Sequence, residues 1–231
     1  MIVNRFRTFL NKFDHILLLV SLTLLVASPI WEKVFHLGFF LTETMIIVII
    51  ISGISVTYSH NHAKINLKMY FGLFTVFISL IPAAASAVFG KVFEQLVQFT
   101  QVIYFLVLTF QLFKLIINAE KVNTEVLINS VSGYLLIGLS WAILIMIWVG
   151  SFPNSFSFTY ENELHFFNAI YYSFVTLTTL GYGDMLPVSA SAKAYSVLIA
   201  ISGAFYTTIV LGMIVGKYIS NESIRKLNKN T

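Results

Sequence analysis

The sequence has no cysteine and unusually few charged residues. Without cysteine the chain can form neither disulfide bonds nor thiolate metal sites. Cysteine content therefore does not indicate whether the protein works in an oxidising or a reducing compartment. Charged residues make up 10% of the 231 positions and hydrophobic residues 58%. A soluble domain carries roughly 25% charged residues, so this composition predicts a membrane protein.

Patterns typical of catalysis and of nucleic-acid binding are also missing. The sequence contains no nucleophile–base pair, no cluster of metal ligands and no phosphate-binding loop, so it does not predict an enzyme. It has no basic face with interleaved aromatic residues either, and nucleic acid is not an expected partner. The formal net charge of +4 is a small excess, which in a membrane protein reflects its cytoplasmic loops.

Long apolar segments are what the sequence has instead. A bilayer-spanning helix needs about 20 mostly apolar residues. Six segments approach or exceed that length: 16–31, 39–57, 69–89, 96–118, 130–150 and 192–219. A shorter apolar stretch, 164–179, cannot cross and return as two helices, so we expect a re-entrant helix followed by an extended loop. The first segment ends without a small-residue cleavage site, which favours an uncleaved span over a signal peptide.

Basic residues divide unequally between the two sides of these spans. The inner set is Arg5, Arg7, Lys12, Lys64, Lys68, Lys114, Lys121, Lys217, Arg225, Lys226 and Lys229. The outer set is Lys33, Lys91 and Lys193. Positive residues concentrate in cytoplasmic loops, so we expect both termini in the cytoplasm. Glu161 and Glu163 then lie in an outer loop that lacks Lys and Arg.

The spans fall into two modules. Residues 1–118 form a four-helix peripheral module, and 130–220 form an outer helix, a re-entrant loop and an inner helix. We expect the polar linker, 119–129, to form a short helix at the inner membrane surface. Only a short basic tail, 221–231, follows the last span, so no soluble ligand-binding domain is expected on the chain. That tail can contact anionic membrane lipid.

The most informative motif follows the re-entrant stretch, where residues 178–184 read Thr-Thr-Leu-Gly-Tyr-Gly-Asp. Thr-x-Gly-Tyr-Gly between two spans resembles the selectivity filter of potassium channels, with Leu180 where valine is usual. The resemblance is specific over about 165–217, and the earlier spans resemble six-span cation channels in layout alone. It implies an all-α membrane protein with six transmembrane helices, a pore helix and an extended filter loop. One filter per chain implies a homotetramer around a single pore.

The resemblance also implies the ion ligands. Potassium is then the transported ion, and its ligands are the backbone carbonyls of Thr179, Leu180, Gly181 and Tyr182 with the Thr179 hydroxyl. Gly181 and Gly183 accept the positive φ that aligned carbonyls require. The Leu180 side chain is expected to face the pore helix, and Tyr182 is expected to point away from the axis and brace the strand.

Further residues are expected to support the filter from the pore helix, which we place at 166–178. The supporting set is Thr178, Tyr171, Tyr172, Gly183 and Asp184. The family often has paired tryptophans at the positions of Tyr171 and Tyr172. Asp184 is expected either to accept a hydrogen bond from one of these two tyrosines or to be a solvated carboxylate.

The last span contains the candidate gate. Gly203 lies at the spacing where similar channels have a glycine at which the inner helix bends. A glycine in a membrane helix can equally be a packing contact, so both interpretations stay open. Thr207 and Val210 are the residues that we expect to face the cavity below it.

The fourth span lacks the charges of a voltage sensor, which needs three or four gating charges per subunit. It carries Lys114 alone, near its inner end, where lysine can reach the membrane interface. The resulting hypothesis is a potassium-selective channel of the cell membrane that is not strongly voltage-gated. The alternatives are a non-selective cation channel of the same fold and a non-conducting membrane sensor or regulatory subunit.

Overall fold

The computed structural model describes residues 2–28, 30, 38–60, 67–80, 82–158 and 166–227. The helices with defined bounds are α1 Ile2–Val26, α2 Gly38–His60, α3 Leu67–Leu80, α4 Pro82–Asn118, α5 Thr124–Ser151, α6 Phe166–Leu177 and α7 Ala190–Leu227. The strands β1 Phe156–Phe158 and β2 Met185–Pro187 pair antiparallel. Lys33, Lys64, Lys229, Glu161 and Glu163, on which part of the predicted orientation depends, lie outside the described residues.

Within the described ranges, three helical stretches are long and apolar enough to cross a membrane. They are Val92–Asn118, Thr124–Ser151 and Ala190–Ser223. Four shorter apolar helical stretches accompany them: Phe13–Val26, Thr44–Thr57, Tyr70–Leu80 and Phe166–Leu177. This architecture is consistent with an all-α membrane channel.

The predicted third span, 69–89, falls on two helices of the described structure. α3 ends at Leu80, and α4 begins at Pro82. Proline lacks the backbone N–H that a helix interior needs, but its fixed φ suits a first helical position. α4 then kinks at Gly90, which has φ 68° and ψ −172°, a backbone conformation almost restricted to glycine. The predicted third span therefore includes residues of two described helices, α3 and α4.

The link between the two modules is also shorter than predicted. Helix α4 continues to Asn118, and α5 begins at Thr124 rather than at 130. Asn123 caps α5, because its side-chain oxygen accepts a 2.9 Å hydrogen bond from the Val126 N–H. The expected surface helix within 119–129 is absent from this described segment. At the other end of the chain, the inner helix α7 runs on to Leu227, into the predicted tail.

Helix α5 is the centre of the fold, since it packs against α1, α4, α6 and α7. Its contact with α4 is the most extensive between any two described elements. Large apolar side chains less than 2% exposed fill the interior: Leu18, Leu22, Leu25, Ile49, Ile50, Phe105, Leu108, Leu112, Ile116, Leu136, Leu139 and Ile145. At one edge of this core, buried His15 of α1 contacts Glu125 of α5, with 2.9 Å between Nε2 and Oε1. The first four helices are thus joined through α1 and α4 to α5, which in turn packs against the re-entrant helix α6.

Lys217 connects the inner helix to the end of α4. Its ammonium donates hydrogen bonds to the carbonyls of Ile116 at 2.7 Å, Ile117 at 2.5 Å and Ala119 at 2.7 Å. The last carbonyls of a helix have no partner within that helix and carry partial negative charge. Lys217 therefore provides hydrogen-bond donors to carbonyls about one hundred residues away in the sequence. The sequence placed Lys217 at the inner end of a span but did not predict this contact.

We expect Lys217→Met to lower the free energy of unfolding by about 1–2 kcal/mol, because three carbonyls lose a charged donor in a partly exposed site. Chemical unfolding in detergent micelles measures the change. Lys193→Met is the matched control, since Lys193 is exposed near the opposite end of the same helix. Equal effects of the two substitutions would contradict this role for Lys217.

Candidate functional site

The chain leaves the pore helix α6 through a defined C-terminal cap. The Leu180 N–H donates to the Val175 carbonyl at 2.9 Å, and the Thr179 N–H donates to the Thr176 carbonyl at 3.0 Å. These two bonds form a Schellman motif, which places the residue after the helix in the left-handed region. Glycine is usual at that position, but here it is Thr179, with φ 59°. The Gly181 N–H also reaches the Val175 carbonyl, at 3.3 Å, so the strand starts close against the helix end.

Beyond the cap, the backbone alternates in handedness. Thr179, Gly181 and Gly183 have φ values of 59°, 56° and 82°, whereas Leu180 and Tyr182 between them do not have positive φ. In an ordinary strand successive carbonyls point to opposite sides. Alternating the sign of φ counteracts that reversal, so successive carbonyls can be directed towards one side. For a β-branched residue such as threonine this conformation is a rare and strained one, which indicates that the site requires it.

The extended filter segment is exposed along its length, since every residue from Thr178 to Gly183 is exposed in the single chain. Leu180, whose side chain is expected to face the pore helix, is 55% exposed in the single chain. Tyr182 is 67% exposed, and its ring stacks on that of Tyr171, with centroids 6.5 Å apart and an angle of 6° between planes. Tyr182 therefore contacts the pore helix of its own chain through one face of its ring.

Of the two candidate tyrosines, Tyr171 is the partner of Asp184. Its hydroxyl donates a 2.7 Å hydrogen bond to Asp184 Oδ2. This bond, with smaller contributions from burial and from the nearby negative charge, raises the pKa of Tyr171 to about 12, so the phenol remains a donor at physiological pH. Tyr172 is buried instead. Its hydroxyl lies 2.5 Å from Ser196 Oγ of α7, and its ring meets Phe156 of β1 edge-on.

We expect Tyr171→Phe to lower the thermal stability of the protein in potassium buffer by about 1 kcal/mol, because an exposed charged hydrogen bond is lost. Tyr182→Phe is the control, since it keeps the stacked rings and leaves the Tyr171–Asp184 bond in place. Thermal unfolding of both variants in detergent measures the difference. The same loss in the two variants would show that the bond to Asp184 is unimportant.

Short strands hold the outer end of the filter segment. β2 begins directly after Asp184 and pairs with β1, with Ser157 opposite Leu186. The Ser155 carbonyl accepts further bonds from the Val188 N–H at 2.9 Å and the Ser189 N–H at 3.2 Å. The filter segment is thus fixed at both ends, by the helix cap at its start and by the two-stranded sheet at its end.

The pore helix itself is fixed against α5. Ser173 is fully buried, and its hydroxyl donates a 2.6 Å hydrogen bond to the Gly138 carbonyl. The Phe174 ring packs so closely on Gly138 that a side chain there would clash with it. Thr178, at the end of the helix, donates from its hydroxyl to the Phe174 carbonyl at 2.7 Å.

Gly203 of α7 lies directly under the end of the pore helix. A Cβ atom at Gly203 would overlap the carbonyl oxygen of Leu177. Helix α7 passes through Gly203 without an interruption. Of the two interpretations of this glycine, the structure therefore provides direct evidence for the packing contact.

The two residues below Gly203 differ from each other. Thr207 is exposed, and its hydroxyl bonds back to the Gly203 carbonyl at 3.0 Å. Val210 is only 5% exposed. A side chain buried within one chain cannot line an open cavity, so the predicted role of Val210 is wrong. It continues the buried seam of Ala192, Ile199 and Gly203.

Comparison with known proteins matches the part of the chain that contains this site. Residues 132–220 match a family model described as "Ion channel". This match, with the relatives named below, supports the prediction that this segment is an ion-channel segment rather than part of an enzyme.

Two curated relatives of this channel segment are potassium channels at low identity. The two-pore potassium channel 4 of Arabidopsis thaliana is 31% identical over 81 residues, which are 34% of this chain and 28% of the relative. The calcium-gated potassium channel TvoK of Thermoplasma volcanium is 35% identical over 65 residues, 27% of this chain and 19% of the relative. The matches thus span less than a third of either relative. No solved structure matches the chain.

Proposed function

We propose that the protein is a potassium-selective channel that conducts passively. The alternation of φ along Thr179–Gly183 carries this proposal, since it suits a row of carbonyls that replaces the hydration shell of an ion. The ligands are the carbonyls of Thr179, Leu180, Gly181 and Tyr182, with the Thr179 hydroxyl at the inner end. Both curated relatives named above are potassium channels, which supports potassium as the ion.

The conducting unit is a homotetramer, because one strand supplies only a quarter of a ring of carbonyls. The exposed strand supports this assembly. Lipid tails cannot accept or donate hydrogen bonds, so non-helical backbone in a membrane must face protein or a water-filled space. The inner helix supports it as well, since its apolar residues Val197, Phe205 and Leu211 are 56%, 64% and 63% exposed in the single chain. Gel filtration with light scattering in a mild detergent tests the stoichiometry, and a monomer or dimer contradicts it.

In the cell membrane, each subunit crosses six times with both termini in the cytoplasm. The distribution of Lys and Arg supports this orientation. The short link and the extensive contact between α4 and α5 support a peripheral module that packs beside its own pore. Below the filter, Thr207 faces the conduction pathway, because it is exposed on the helix one turn after Gly203.

We expect the conductance to depend weakly on voltage. Lys114 is the only charged residue in α4 beyond Glu94, and its ammonium lies 4.7 Å from the centre of the Phe110 ring rather than in a series of charges. One cation per subunit near the membrane interface moves little charge through the field. Current–voltage recordings in planar bilayers measure the dependence. A conductance that rises steeply over a range on the order of tens of millivolts would contradict this expectation.

Potassium flux into liposomes that contain the purified protein tests the function. Flux of potassium without sodium is the expected result. Equal flux of both ions favours a non-selective cation channel, and no flux favours a non-conducting sensor or regulatory subunit.

A further inference from the structure

A cavity of about 530 Å³ lies between the three helices that are long enough to cross a membrane. Each helix lines the cavity over about two turns. The lining runs from Leu106 to Phe113 on α4, from Ile137 to Leu144 on α5 and from Ser202 to Ile209 on α7. The volume is in the range of ligand pockets in proteins, roughly 300–1,000 Å³. The cavity does not include the filter strand or its supporting residues.

The lining residues that the structure describes present carbon atoms to a ligand, and each of their polar groups has a hydrogen-bond partner. The Trp141 indole donates to Ser202 Oγ at 3.0 Å, and the Tyr206 hydroxyl donates to the Ser130 carbonyl at 2.8 Å. Hydroxyls of the other polar lining residues donate to carbonyls of their own helices, namely Thr109, Ser140 and Ser202. A lining of this kind favours an apolar occupant over water.

A cation adjoins one end of the cavity. Phe110 lines it, and the exposed Lys114 ammonium lies 4.7 Å from the centre of the Phe110 ring. Lys114 follows Phe110 by one helical turn, towards the end of α4 that Lys217 caps. The arrangement therefore combines an apolar cavity between membrane helices with a positive charge at its inner end.

We infer that this cavity binds one acyl chain of an anionic membrane phospholipid, whose phosphate pairs with Lys114. The charge at the inner end selects an anionic head group, and the carbon walls accept the chain. Anionic lipids are concentrated in the cytoplasmic leaflet, where one lysine contributes to binding by a factor of about five. The inference depends on the membrane placement of the helices but not on conduction.

Fluorescence of Trp141, which lines the cavity, reports the occupant directly. Trp31→Phe with Trp148→Phe leaves Trp141 as the sole tryptophan of this sequence. The variant is placed in vesicles of phosphatidylcholine with increasing amounts of phosphatidylglycerol brominated on its acyl chains, or of brominated phosphatidylcholine. We expect the anionic lipid to quench Trp141 at about a fivefold lower mole fraction.

Substitutions separate this site from general contact with the bilayer. Lys114→Gln should remove the preference for the anionic lipid, and Lys114→Arg should keep it. Lys121→Gln is the matched control, because it removes the same charge from an exposed residue, whereas Lys114 lies beside the cavity-lining Phe110 ring. Leu144→Phe narrows the cavity and should weaken quenching by both lipids.

Two results would overturn the inference. Equal quenching by both lipids, unchanged in Lys114→Gln, would show ordinary lipid contact. No quenching by either lipid would show that another part of the protein, such as a second copy, covers the cavity. Neither readout requires flux, so failure here is distinguishable from failure of the proposed channel function.

Discussion

Gly181→Ala is expected to reduce potassium flux at least a hundredfold. Gly181 has φ 56°, and no atom lies within 4 Å of the position that a Cβ would occupy, so the effect comes from the backbone and not from a clash. An L-residue in this region costs about 1–2 kcal/mol. In a tetramer four such costs add to at least about 4 kcal/mol, which favours a backbone whose carbonyls no longer align. Flux into liposomes measures the loss.

Gly90→Ala is the matched control for this experiment. Gly90 also has positive φ, at 68°, and open space around it, but it lies at the kink of α4. Its substitution should lower stability by a comparable or larger amount and leave selectivity unchanged. Wild-type flux in Gly181→Ala would show that this strand is not the conducting element. Gly181→Asp, which adds charge as well as strain, should abolish flux entirely.

Gly203→Ala is expected to lower flux at least tenfold and to destabilise the protein. The added methyl group would occupy the position of the Leu177 carbonyl oxygen, so either the inner helix or the end of the pore helix must move. Overpacking of a tight contact costs typically about 1–3 kcal/mol. Because Leu177 immediately precedes the filter segment, the displacement also misplaces the filter. Unfolding and flux of the same preparation measure both effects.

Gly212→Ala controls for the change in helix propensity. Gly212 lies on the same helix with no atom within 4 Å of its hypothetical Cβ. Its substitution should be neutral or slightly stabilising, by up to about 1 kcal/mol. The hinge interpretation of Gly203 predicts a different outcome, in which Gly203→Ala stiffens the helix without loss of stability. A stable Gly203→Ala variant with altered opening would therefore favour the hinge over the packing contact.

The parts of the site that the sequence predicts well are those that depend on local chemistry. The pore helix was placed at 166–178 and lies at Phe166–Leu177. Positive φ was expected at Gly181 and Gly183, because glycine is the residue that tolerates it, and both have it. The same reasoning missed Thr179, since threonine disfavours the left-handed region that the helix cap imposes. The pairing of three-residue strands was also beyond prediction, because segments so short carry no pattern.

Contacts between residues far apart in the sequence were the other features that the sequence did not predict. The close approach of Gly203 to the Leu177 carbonyl and the capping of α4 by Lys217 leave no signal in the local sequence. Val210 was misplaced for the same reason, because the buried side of a helix depends on which neighbours it meets. His15 gave no motif either, although it is buried and contacts Glu125. Composition predicted the apolar helices, but which face of each helix is buried depends on packing between elements far apart in the sequence.

The most direct test of the central claim is the reversal potential of single-channel currents in planar bilayers with potassium on one side and sodium on the other. The carbonyl arrangement around Thr179–Gly183 predicts a reversal potential far from zero, with the sign that opposes potassium flow from the potassium side, and no current in Gly181→Asp. A reversal potential near zero, or currents that persist unchanged in Gly181→Asp, would contradict the account.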